Sequence, residues 1–148
     1  MSKKEMIKKL KELGFELQKI PNAGYMFLYE ELAVLYMPEE QDEKFVRFAA
    51  PNLYEVTQEN KQYLMEMANE TNVTIKYGKV CIYNDFVWAC SEHHCYGNED
   101  LEELIGVSLS LLHAMVSYFC QLVENGGVCI DVDNTEFKES EDTDEQDI

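Results

Sequence analysis

Arginine is nearly missing from this chain of 148 residues, where Arg47 is the only one. With no cluster of guanidinium forks, and with 12 basic side chains against 29 acidic ones for a net charge of −17, nucleic acid is not expected as a partner. Proline and histidine occur three times each and tryptophan once, as Trp88. The opening stretch MSKKEMIKKLKEL has no uninterrupted apolar run, so neither a secretory leader nor a membrane anchor is expected there, and the chain should work in the cytosol. In that compartment five cysteines, an odd number, read as free and partly buried thiols.

What is present suffices for one core. Hydrophobic residues make up 46% and aromatics 11%, enough apolar surface for a single globular α+β domain over residues 1–127. From Asp131 onward nine carboxylates face one lysine, so residues 128–148 read as an acidic, disordered tail.

Ser2 and Glu5 form a capping box, and Met6, Ile7, Leu10 and Leu13 recur at helical spacing until Gly14. Runs at Phe15–Ile20, Tyr25–Tyr29, Leu32–Met37 and Lys44–Ala50 predict three or four antiparallel strands. Thr57 is expected to cap a second helix with Tyr63, Leu64, Met67 and Ala68 inward, ending near Asn69 and Asn72. Val73–Tyr83 and Phe86–His94 then form a hairpin about Asn84-Asp85, which sets Tyr83 opposite Phe86 and Cys81 opposite Trp88.

The last element, from an Asn98 cap to Glu124, is apolar on almost two faces. One face carries Leu101, Leu104, Ile105, Leu111, Leu112, Met115, Phe119 and Leu122; the other carries Leu109, Val116 and Val123 beside His113 and Cys120. Either the chain's own sheet wraps this helix, or the second face meets another copy in a homodimer.

Two short stretches invite chemistry. In CSEHHC, Cys90–Cys95, strand alternation puts Cys90 and His94 on one face but well apart and leaves only His93 and Cys95 compatible, too few ligands for structural zinc. No metal or cofactor is therefore assigned, although a small metal- or thiol-dependent enzyme built on Cys90–Cys95 is the alternative reading. DVDNT, Asp131–Thr135, resembles the nucleophile motif of haloacid dehalogenase-like phosphatases, but the thirteen residues after it cannot supply the family's remaining motifs.

Through MEMANETNVTIKYGKVCIYNDFVWACSE, Met65–Glu92, and its order of elements, the chain resembles the YbjN-like family and the type III secretion chaperone-like fold. The order read from the residues is α-β-β-β-α-β-β-α, and the resemblance implies an antiparallel sheet with helices packed on it, often a homodimer, and no catalytic residues. The expected function is a non-enzymatic protein-binding or regulatory module, dimeric through the last helix, with a possible protein or peptide client and no membrane contact. Candidate contact residues are Tyr77, Tyr83, Phe86, Trp88, Leu109, Val116 and Val123.

Overall fold

The structure, a computed structural model, describes residues 2–127; the acidic tail, Cys129 and DVDNT lie outside the described residues. Helix α1, Lys3–Glu12, begins at the expected capping box, with Ser2 Oγ accepting from the Glu5 N–H and the Glu5 carboxylate accepting from the Ser2 N–H. Its C-terminus closes through two bonds, Gly14 N–H to the Lys11 carbonyl and Phe15 N–H to the Leu10 carbonyl, with Gly14 at φ 99°. This closure takes Phe15 out of the first strand and lays its ring against Phe27, 4.8 Å between centroids.

Strands β1 (Gln18–Ile20), β2 (Gly24–Tyr29), β3 (Leu32–Tyr36) and β4 (Phe45–Ala50) follow, then α2 (Lys61–Thr74), β5 (Gly78–Tyr83), β6 (Phe86–His94) and α3 (Leu101–Glu124). All neighbours pair antiparallel in the order β1-β2-β3-β4-β6-β5. The expected α+β class holds, with four strands ahead of α2 because the short β1 pairs with β2 through Gln18, Lys19 and Ile20.

Both expected cross-strand pairs are present, Tyr83 with Phe86 and Cys81 with Trp88, about a turn in which Asn84 and Asp85 take φ of 52° and 66°. Helix α2 differs at both ends from the sequence reading. Thr57 and Asn60 bond reciprocally, side chain to backbone, in a turn that precedes the helix. Asn72, expected near a stop, stays helical because its amide both donates to the Val80 carbonyl and accepts from the Val80 N–H. That pair of bonds gives the edge strand β5 a substitute partner at Val80.

Alternation sorts the sheet into two faces. Val34, Tyr36, Val46, Phe48, Ala50, Val80, Val87 and Ala89 point into one cluster that includes Met6 and Leu10 of α1, Leu64 and Ala68 of α2 and Ile105, Leu112, Met115 and Phe119 of α3. All three helices therefore share one side. Helix α3 is a single element capped by Asp100, not Asn98, through bonds from the Glu102 and Glu103 N–H groups. It is long and apolar enough to cross a bilayer by length and composition alone, and here its apolar side forms the core.

Leu109 and Val116 are a correction to the sequence reading. Offered there as contacts for a second chain, they are 1% and 8% exposed inside this one. Helix α3 touches β4, β5 and β6 and is flanked by α1 and α2, so its own chain covers more than one stripe. The side facing solvent is narrower, with Gly106, Val107, Ser110 and Ala114 in its middle and Glu102, Glu103, Gln121 and Glu124 toward its ends.

Candidate binding site on the helix-free face of the sheet

The opposite alternation leaves Met26, Leu28, Ala33, Leu35, Phe45, Arg47, Ala49, Lys79, Cys81, Tyr83, Phe86, Trp88, Cys90, Glu92 and His94 on the face away from the helices. Leu35, Ala49 and Cys90 are nonetheless buried by their neighbours, forming an apolar floor, while Leu28 is 68% exposed.

A groove of about 290 Å³ opens beside that floor, lined by Met37, Arg47, Lys79, Cys81, Ile82, Tyr83, Trp88 and Cys90. At one end the Tyr83 and Trp88 rings meet edge to face, 5.4 Å between centroids. At the other, Glu92 Oε2 accepts from Arg47 Nε at 2.9 Å and from Lys79 Nζ at 3.2 Å, and the Arg47 guanidinium lies over the Phe45 ring at 4.7 Å. Two cations and one carboxylate leave this end positive in a chain that is strongly negative as a whole. The Trp88 Nε1–H is buried with no acceptor, a cost of about 1–3 kcal/mol for an unpaired polar group.

The structure brings together only part of the expected contact set. Tyr83, Phe86 and Trp88 share the helix-free face. Tyr77, 76% exposed at φ 65°, precedes the far end of β5 and takes no part in the groove. Val123 is half-buried against the helix-side core. Met37 and Arg47 join this face only through the β3-β4-β6 order, whereas Lys79 and Cys81 belong to the same hairpin as Trp88 and were not read as contacts.

The CSEHHC stretch stays a regular strand through His94, so Cys90 faces the groove while Ser91 and His93 face the helices. Cys95 follows, 1% exposed, with its N–H donating to the Lys44 carbonyl. Burial pushes the Cys90 thiol up to about 11, with Cys81 and Glu92 adding to the rise, and burial also raises Cys95 and Cys120. These three thiols are protonated near neutral pH, the opposite of an activated nucleophile. Among the described residues, no three of His, Cys, Asp or Glu are placed to hold a metal ion together.

Two neighbours on β6 make stability depend on acid. Burial alone lowers the pKa of His93, whose buried Nε2 has no hydrogen-bond partner. At Glu92 burial works against ionisation, but the bonds from Arg47 and Lys79 outweigh it and hold the carboxyl below its ordinary value. In both cases the unfolded chain binds the proton more readily, so stability falls as pH drops. His93 loses its share below its ordinary 6.5 and Glu92 below 4.5, each down through the lowered folded value. Urea unfolding against pH should show both declines, with His93→Gln removing the first. Arg47→Met should cost about 2 kcal/mol at pH 7 and flatten the second; a single decline unchanged by either substitution would contradict the assignment.

A six-stranded antiparallel sheet covered by three helices on one side and grooved on the other defines an α+β protein of the YbjN-like fold. Several solved structures resemble it, and two illustrate the likeness. YbjN of E. coli, a candidate transcription regulator, aligns with TM-score 0.62 at 11% identity over 83% of this chain and 92% of its own. A protein of uncharacterised function from Methanothermobacter thermautotrophicus aligns with TM-score 0.56 at 15% identity over 84% and 99%. At these identities the likeness is one of fold. No protein-family model matches the sequence, and no curated protein matches it.

Proposed function

We propose that the chain is a protein-binding module, not an enzyme, acting in the cytosol on an extended client segment laid across the helix-free face. The Tyr83–Trp88 pair at the mouth of the groove carries this reading, because aromatic anchors beside an apolar floor are what a partner side chain needs to bury itself. The charge at the other end favours a client that offers a carboxylate to Arg47 and Lys79, and an acceptor reaching the Trp88 Nε1–H would relieve its burial. The raised thiols speak against nucleophilic chemistry on Cys90–Cys95.

The test is capture from native cytosol by wild type and by Trp88→Ala and Tyr83→Ala, read by quantitative mass spectrometry. Proteins held by the wild type should fall about tenfold or more with either substitution at a hot spot, while both variants keep the wild-type circular dichroism. Identical sets of captured proteins would sink the reading. A second copy is proposed to pack on the solvent strip of α3, where Gly106, Ser110 and Ala114 would let a helix approach closely around Val107, 54% exposed. Val107→Arg should then convert a dimer to a monomer in sedimentation equilibrium; a wild type that is already monomeric at micromolar concentration would rule it out.

A further inference from the structure

We propose that the acidic segment 131–148 of this same chain occupies the helix-free groove, with Phe137 on the apolar floor beside Trp88 and a flanking carboxylate at Arg47 and Lys79, so that a client must displace it. The proposal rests on the client reading of the groove and adds its regulation. From Asp131 the segment holds nine carboxylates against one lysine and a single aromatic, Phe137, with Glu136 before it and Glu139 two residues after. These are the two features the groove selects, an apolar anchor for the Tyr83–Trp88 end and negative charge for the other.

Spacing agrees with this pairing. In an extended segment Phe137 and Glu139 leave the same side about 7 Å apart. The same two-residue step on β6 separates Cys90, part of the buried floor, from Glu92, which gathers both cations. Charge then chooses among surfaces, because a chain of net charge −17 repels the segment from most of itself. The other lysine-rich surface is α1, where Lys3 pairs with Glu40 and Lys8 and Lys9 with Glu12, and where Met6 and Leu10 are buried in the core. That helix offers charge without a seat for a phenyl ring.

Reach is sufficient. Gly127 lies beside Met67 of α2, where an added methyl would stand 3.6 Å from Met67 Cε. Helix α2 packs against β5, the edge strand that brings Lys79, Cys81 and Tyr83 to the groove. The chain therefore has one strand to pass round. Nine residues, 128–136, separate Gly127 from Phe137 and span about 30 Å when extended, against roughly 10 Å for one packed layer. A tether of that length supplies an effective concentration on the order of millimolar, so a weak contact is enough to keep the groove filled.

The test is nuclear magnetic resonance of the nitrogen-labelled full-length chain, in which Trp88, the one tryptophan, gives one indole N–H signal. Phe137→Ala should move that signal, and the wild-type position should stay fixed on dilution, as a contact within one chain requires. A synthetic peptide of residues 131–148 should bind Phe137→Ala about tenfold or more tightly than it binds the wild type, whose groove is already filled. The shift caused by Phe137→Ala should shrink by about half or more in a Lys79→Gln background and stay whole in one carrying Lys4→Gln and Lys11→Gln, with circular dichroism as the check on folding. Coincident wild-type and Phe137→Ala signals, equal peptide affinities, a signal that moves on dilution, or dependence on Lys4 and Lys11 in place of Lys79 would each overturn the proposal. Coincident signals alongside a loss of captured proteins in Trp88→Ala would leave the client reading standing alone. A filled groove with capture unchanged in Trp88→Ala would overturn the client reading and uphold the contact within the chain.

Discussion

Leu109→Asp should unfold the chain instead of merely separating two copies of it. Leu109 is 1% exposed among side chains of its own core. Truncating such a leucine costs about 2–5 kcal/mol, and a carboxylate with no partner in that setting adds several more, as charge or as a shifted pKa. The total is roughly the whole stability of a domain this size, about 5–15 kcal/mol. Circular dichroism and urea titration should find no cooperative transition in Leu109→Asp. Val107→Arg, on the solvent side of the same helix, should still unfold cooperatively, because its side chain leaves the core intact. A folded, soluble Leu109→Asp monomer would show instead that Leu109 meets a second chain.

The ambiguity over that helix arose because apolar periodicity counts how much of a helix is covered and says nothing about the source of the cover. Two stripes on α3 left open whether its own chain wraps the helix or a second copy covers one side. The sheet supplies part of the cover, and α1 and α2, packed on the same sheet face, flank the helix. Their placement is a tertiary fact with no local trace in residues 101–124.

Where the determinant was local, the sequence read well. Asn84-Asp85 tolerates positive φ, which fixed the β5–β6 register and with it both predicted pairs. The β2–β3 turn also takes positive φ, at Glu30 and Glu31 with 48° and 71°, yet glutamate does not announce such a turn, so only the flanking strands were legible. Asn72 misled in the opposite direction, since its two bonds to Val80 outweigh its weak helix preference. The binding face was half legible for the same reason. Tyr83, Phe86 and Trp88 follow from one hairpin, whereas Met37 and Arg47 join them only once β4 is known to lie beside β6.

Gly24→Ala should be among the most damaging single-methyl changes in the protein, because Gly24 opens β2 where three strands converge. It pairs with Ile20 of β1, and the next residue, Tyr25, pairs with Tyr36 of β3. A Cβ at Gly24 would collide with the Tyr36 carbonyl oxygen, a backbone atom that cannot turn aside, and φ there is 153°. Relief requires β2 and β3 to part, which withdraws Tyr25 and Phe27 from the helix-side core and Met26 from its place opposite Leu35 on the other face. A loss of about 4 kcal/mol is expected, the range of strain combined with core disruption. Gly14→Ala provides the comparison: φ there is 99° but no atom lies within 4 Å of the added methyl, so only the backbone cost of about 1 kcal/mol should appear. Urea midpoints for the two variants separate collision from conformational preference. Equal losses would mean that close contact with Tyr36 does not fix the β2–β3 register.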